Sequence, residues 1–367
     1  MKKPVSNLIG TITAIFTIAT ASAQTNADSV TQLLATSNVT DLNRIGLSYR
    51  MGINLNVRFH NLGAFPARSN PGPAIGGAVD RTYDDGYNLI DITGNNHGPG
   101  FENTTWNWGV NNLQTQVLPS TENPQTVLMH SVSSSGATTS SLSDDLQSGF
   151  ELTYDRELLR KERWRLDFEA AFGYTALDIS DNGPLPIGIL QITDSYSVPP
   201  SGSGQPFPTS GTYSGSSSGP GAVIGSVPSR AVNVVQGESI GSRHFDADVF
   251  SFRLGPSLEF PLSKKVTAGL SGGFALDYVD SDFSFNETVS IPGVGSVSNA
   301  GSGSHSGWLP GGYVAGNLSV ALSEKWALVA GAQFEDVGQY TQNLNGKLAT
   351  LDLSKSIFVT IGLSYSF

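Results

Sequence analysis

Between Ile45 and Phe59 every second residue is apolar: Ile45, Leu47, Tyr49, Met51, Ile53, Leu55, Val57 and Phe59, with Gly46, Ser48, Arg50, Gly52, Asn54, Asn56 and Arg58 between them. Successive side chains on a strand point to opposite faces, so this period of two predicts one long strand with one greasy face. Its length exceeds the 9–11 residues that a tilted membrane strand needs, and strands of soluble folds cluster near 5–6. The same period returns at Ile357–Phe367, where Ile357, Val359, Ile361, Leu363, Tyr365 and Phe367 alternate with Phe358, Thr360, Gly362, Ser364 and Ser366. Six further strands follow from the same rule, starting near Phe150, Trp164, Phe250, Val266, Val314 and Trp326.

The connections between these eight segments alternate in length. Those at Leu159–Glu162, Leu262–Lys265 and Ser323–Lys325 are short, whereas long loops are expected at about 60–147, 180–243, 280–307 and 338–346. Such asymmetry is the habit of membrane barrels, with short turns on the periplasmic side and longer loops outside. The expected fold is therefore all-β, a transmembrane up-and-down antiparallel β-barrel of eight strands, occupying residues 44–367. It would have ten or twelve strands if pieces near 86–92, 104–116 and 125–133 joined the wall. The aromatics sort by strand end: Trp164, Phe260, Trp326, Tyr365 and Phe367 near the short turns, and Phe59, Tyr174, Phe250, Tyr278 and Phe334 near the loops. Aromatic girdles at the two membrane interfaces predict that placement.

On the face opposite the apolar one lie Arg50, Arg58, Glu151, Asp155, Arg165, Asp167, Glu169, Arg253, Glu259 and Glu335. Enclosed charges must pair, because an unpaired one costs several kcal/mol. These ten are expected to form a network filling the lumen, since an eight-stranded barrel is about wide enough for side chains and no open channel. A hairpin register in which paired residue numbers sum to 320 would set Asp155 against Arg165, Glu157 against Arg163, Tyr154 against Leu166 and Leu152 against Phe168.

Composition changes the picture at three points. Lys2 and Lys3, an apolar run from Leu8 to about Ala19 and Ala21-Ser22-Ala23 have the parts of an export signal over residues 1–23, with a polar periplasmic lead-in over 24–43. No later apolar run approaches the 18 residues of a membrane helix, and a mean hydropathy of −0.09 is no obstacle to a barrel, in which only alternate residues meet lipid. A net charge of −11 disfavours nucleic acid as a partner, and the absence of cysteine excludes disulfides, thiolate metal sites and a lipid anchored on Cys.

The closing segment, with Ile361, Leu363, Tyr365 and a final Phe367, resembles the terminal strand of bacterial outer-membrane β-barrels, in particular the small OmpA-like and opacity-protein class. The stretches Tyr83-Asp84-Asp85-Gly86-Tyr87 and Thr105-Trp106-Asn107-Trp108-Gly109 are similar to parts of uncharacterised outer-membrane barrels. The resemblance implies that those four residues are an assembly signal read by the barrel-assembly machinery. It also implies a cell outer-membrane location among lipid and lipopolysaccharide, and a structural or surface-interaction role with an extracellular ligand of unspecified kind. It departs from OmpA in having no peptidoglycan-binding domain after the last strand. A small-solute channel and a lipid-modifying hydrolase are the alternatives. For the hydrolase, His130-Ser131 and His305-Ser306 are the pairs to examine. His97, His130, His244 and His305 fall in or beside the loops with several acids, but no metal-ligand spacing links them; Trp106 and Trp108 are expected to pack within the first loop, with stacking on sugars as the alternative. No catalytic residue, cofactor or metal is expected.

Overall fold

The computed structural model describes residues 42–118, 125–143, 146–200, 206–291 and 294–367. The expected export signal and most of the lead-in lie outside the described residues. Eight strands form the wall: β1 (Asn43–Ile53), β2 (Gln147–Arg160), β3 (Arg165–Asp181), β4 (Ser229–Pro261), β5 (Val266–Ile291), β6 (Gly295–Ala321), β7 (Trp326–Asp336) and β8 (Ser356–Ser366). Each pairs antiparallel with its neighbour in sequence, and β8 pairs back onto β1, so the ring closes. The protein is an eight-stranded up-and-down barrel. Closure removes both sheet edges, which in lipid would leave backbone donors and acceptors unsatisfied. The short strands within 81–134 pair outside this ring, so the wall gains no extra members from the first loop.

The apolar parity faces outward. Leu47, Tyr49, Phe150, Leu254, Leu270, Phe274, Leu318 and Ile361 are all exposed, Leu47 by 60%. At the long-loop end the rings of Phe150, Tyr174, Phe250, Tyr278 and Trp308 follow one another from β2 to β6 at centroid distances of 5.6, 5.4, 6.2 and 4.8 Å. At the short-turn end Trp326, Tyr365 and Phe367 stack in a row. Between Phe260 and Phe250 a strand tilted by about 40° climbs about 25 Å, the height of a barrel's apolar band.

The long alternation at Ile45–Phe59 is two strands, and the expectation of one is corrected. Asn54, at φ 65°, turns the chain through the left-handed region, and Asn56–His60 then leaves the wall. It joins a three-stranded sheet with Lys347–Asp352 and Gln339–Leu344. The kink reverses the meaning of the parity. Val57 and Phe59 are fully buried inside the mouth of the ring, where Phe59 stacks on Phe283 at 5.5 Å, so Phe59 belongs to no girdle. Arg58 consequently points to solvent beside Thr350 and is no part of the lumen network.

Three of the expected loops are largely sheet. β5 runs on to Ile291 and β6 starts at Gly295, so 280–291 and 295–307 are strand; β4 carries on upward through 229–243, and residues 338–346 form most of a hairpin. Leu185–Ser197 and Thr126–Ser134 extend the upper β4 sideways. The Gly/Ser-rich piece Ser214–Gly221 packs against the first loop: Gly215 N–H donates to Trp108 O, and Trp106 Nε1 to Ser217 O at 3.1 Å. The β2–β3 register also differs from the expected one. Asp155 stands opposite Glu169, Tyr154 opposite Ala170 and Leu152 opposite Phe172, with a bulge at Leu166/Asp167. The difference starts at the turn, where Arg165 already stands opposite Arg160 rather than Asp155, and the bulge then shifts the pairs beyond it by one residue.

Candidate functional site: lumen, plug and outer cap

The inward parity gathers nine of the ten expected charges inside the ring, from Glu259 near the short turns up to Arg50 and Glu335 at the level of the outer aromatic row. Arg50, Glu151, Asp155, Asp167, Glu169, Arg253, Glu259 and Glu335 are buried, and Arg165 is half-buried among them. Arg165 reaches Glu259 at 2.5 Å and Asp167 at 3.0 Å; Arg253 lies 2.7 Å from Glu151 and 3.7 Å from Glu169; Arg50 lies 3.4 Å from Glu335. Arg50 also lies flat on Phe358, with Cζ 3.5 Å from the ring centroid, and Arg253 caps Tyr313 at 4.8 Å. A Cβ at Gly173 would fall 2.0 Å from Arg50 Nη1, so any larger residue there would displace the guanidinium.

Two members were missed in the sequence. Arg44 precedes the first apolar residue of β1, yet shares the inward parity of Arg50, and pairs with Asp155 at 3.1 Å and with Glu259. Asp277 sits between Leu276 and Tyr278 on the inward parity of β5 and is 1% exposed. The signal for both was parity alone.

Above Arg50 the interior turns apolar. Leu55, Val57, Phe59 and Leu62 from the first loop meet Ala349, Leu351 and Leu353 from the last hairpin, and both pack on Phe245, Val249, Ala275, Val279 and Phe283 of the wall. This plug fills the upper ring. It is fastened by a buried ion pair, Lys347 to Glu287 at 2.6 Å. Lys347 Nζ also donates to Asn61 O (2.7 Å) and Ala64 O (2.8 Å), while Glu287 accepts from Gly63 N–H at 2.7 Å. Every strong donor of the ammonium is thus spoken for, as a buried charge requires.

A second apolar cluster forms the outer cap, around Tyr83, Trp108, Leu113, Met129, Tyr196 and Ile224. At its edge Asp194 accepts from Tyr83 Oη (2.5 Å) and from Arg230 Nε (2.7 Å), and Tyr83 Oη meets Tyr196 Oη at 2.7 Å. Burial and the neighbouring Asp194 push both phenols well above the usual tyrosine range. Further out, Asp91 holds His97 at 2.8 Å, and His97 lies on Trp106 with centroids 4.1 Å apart. Burial works to raise the Asp91 carboxyl, but the Thr93 hydroxyl, two backbone N–H groups and His97 outweigh it, and its pKa falls below the usual value. Trp106 and Trp108 therefore pack within the cap, as their setting in the first loop suggested.

The histidine–serine neighbours do not meet. His130 Nδ1 is bound to Asp85 at 2.6 Å while Ser131 Oγ accepts from Ser69, and His305 stacks on Tyr340. On the outer face, above the aromatic row, Asp178, His244 and Asp246 place one ligand atom each within 4.8 Å of the others. His244 is there hydrogen-bonded to Asp246 (2.7 Å) and Ser180 (2.8 Å). The four residues expected to form an assembly signal lie on β8 or at its end, with Ile361, Leu363 and Phe367 exposed on the outer face.

No protein-family model matches the sequence, and no curated protein matches it. Among solved structures, the chain is similar in fold to Ail, the attachment invasion locus protein of Yersinia pestis, at 9% identity and a TM-score of 0.30, over 89% of this chain and all of that one. It is likewise similar to the outer membrane protease OmpT of Escherichia coli, at 11% identity and a TM-score of 0.30, over 89% of this chain and 96% of that one.

Proposed function

We propose that the chain is an integral outer-membrane barrel that conducts nothing and serves to hold a rigid β-built cap outside the cell, for structural or surface-interaction purposes. One observation carries this reading. The wall has a lipid-compatible exterior, an apolar band bounded by aromatic rows, while its interior is stoppered twice, by ion pairs below and by the Phe59–Leu351 plug above. A solute path would have to cross an apolar core whose side chains are almost wholly buried. The cap is then the part of the molecule available to the outside, and its ligand is to be sought among surface macromolecules or lipopolysaccharide. The terminal strand addresses the chain to the assembly machinery.

Planar-bilayer recording tests the proposal directly. Purified folded protein is expected to give no large, stable conductance; a steady porin-like current would overturn the reading. Fractionation should place the protein in the outer membrane, with unboiled and boiled samples migrating differently in detergent gels.

A further inference from the structure

The upper wall carries a bare sheet edge. On one side the top of β4 is held by Leu185–Ser197, which pairs with it from Ser239 up to Ser229 in an unbroken register. On the other side β5 pairs with β4 only as far as Glu238, opposite Ser290, and stops at Ile291. Among the described residues, no strand pairs with 231–236 on that side. The run is Ala231, Val232, Asn233, Val234, Val235 and Gln236. It has no charge, no proline and no bulge, the devices by which proteins blunt an open edge.

Its outer face is bare as well. Val232 is 56% exposed and Val234 66%, and Leu190, the cross-strand partner of Val234, is 44% exposed. The strand is nevertheless fixed in place, because Val235 packs with Ile187, Ile189 and Val289. A fixed, apolar, unpaired strand is a template for one more strand, with its ordering cost already met.

We infer that this edge docks a second copy of the same chain held in a facing membrane, the two 231–236 runs lying antiparallel in one continuous sheet. The inference rests on the surface-interaction role proposed above and names its partner. Symmetry decides where that copy stands. Two identical strands paired antiparallel are related by a two-fold axis perpendicular to their sheet. The sheet here prolongs the barrel wall, whose perpendicular lies in the membrane plane, so the axis turns the second barrel upside down. A parallel pairing would need an axis along a strand tilted by about 40°, which two barrels in one membrane do not share. The sequence suits the antiparallel match. Centred on Asn233, it sets Val232 against Val234 of the second copy, Ala231 against Val235 and Arg230 against Gln236, so no like charges meet. Asn233 lies 17 residues beyond Phe250 along β4. That is about 40 Å above the outer aromatic row at the same tilt, so paired copies would hold two bilayers about 80 Å apart.

The test uses the full folded chain in phosphatidylcholine vesicles, with protease access confirming that the cap faces outward. Wild-type vesicles are expected to clump with one another and to ignore protein-free vesicles. Electron cryomicroscopy should find the contacting bilayers about 80 Å apart. Val232→Lys/Val234→Lys should slow clumping about tenfold or more, since lysines would then face lysines across the joint. Val232→Glu/Val234→Glu should do the same. Mixing the two variant populations should restore clumping, because position 232 of one copy faces 234 of the other. Heat-modifiable migration and a silent bilayer show that each protein is a closed, folded barrel, so failure of the contact is distinct from failure of the barrel reading. Folded wild-type vesicles that stay dispersed would overturn the inference. If they still bound a free peptide of sequence 229–237, the edge would belong to extended peptides and not to a second copy. Clumping that survives in the lysine variant, or variants that stay dispersed when mixed, would overturn it equally. Adhesion to protein-free vesicles would make the partner a lipid surface and overturn it as well.

Discussion

Single residues carry the fold's most exposed bets. Lys347 and Glu287 meet at 2.6 Å with each side chain 2% exposed, and together they join the last hairpin, the first loop and β5. Removing one partner leaves a buried charge alone, so Lys347→Met is expected to cost about 3–5 kcal/mol. The double change Lys347→Met/Glu287→Gln should recover part of that loss, as read by denaturant unfolding. Arg58 offers the contrast. Despite its place in the sequence pattern it faces solvent, and Arg58→Ala should shift stability by less than about 0.5 kcal/mol. Asp91 supplies a pH dependence. Its carboxyl is held below the usual value in the fold, so the stabilisation it brings is complete above the ordinary carboxylate range and is lost as pH falls through the lowered value. The protection factors of the amides across 91–106, taken against the exchange of an unfolded chain at the same pH, should therefore fall on acidification, and Asp91→Asn should flatten that response.

At the scale of elements, the wall was legible and the loops were not. Alternating apolar residues located all eight wall strands because the lipid face tolerates nothing else there, and nine of ten lumen charges followed from parity. The same parity misled at Asn54, where a left-handed residue turned an outward face inward without interrupting the period. Above the membrane both faces of a strand are free to carry Ser and Gly. The runs 280–307 and 229–243 thus look like linkers in composition although they are ladders of backbone hydrogen bonds. One local signal was available and unread: Asn345-Gly346, both at positive φ, close the hairpin between Leu344 and Lys347, and that dipeptide is the preferred two-residue turn. The element-level prediction concerns the plug. Replacing Leu55, Val57 and Phe59 together by Ala should leave the heat-modifiable barrel intact while introducing small, flickering conductance in bilayers; a silent triple variant would show that the ion-pair layer alone seals the ring.

For the whole molecule, the ring is closed on its short side. β8 meets β1 over ten register pairs, as many as join β1 to β2, β6 to β7 and β7 to β8, whereas β5 and β6 share twenty-six. The seam ends at Asn43 and Phe367, which exchange backbone hydrogen bonds of 2.9 and 3.2 Å. Deleting Phe367 is expected to lower the yield of heat-modifiable barrel far more than deleting 214–221, which lies in the cap; equal losses would refute a special role for the seam.

The unequal wall has a consequence for what the cell presents. β4 runs for 33 residues, and at a tilt of about 40° it climbs about 80 Å, of which about 25 Å is needed to cross lipid. β1, β7 and β8 stop after 11 residues. One side of the barrel is thus a parapet some tens of ångströms high, and the other barely clears the headgroups. A visitor approaching from the tall side is met by protein at arm's length from the membrane, and one approaching from the low side meets the wall only near the bilayer.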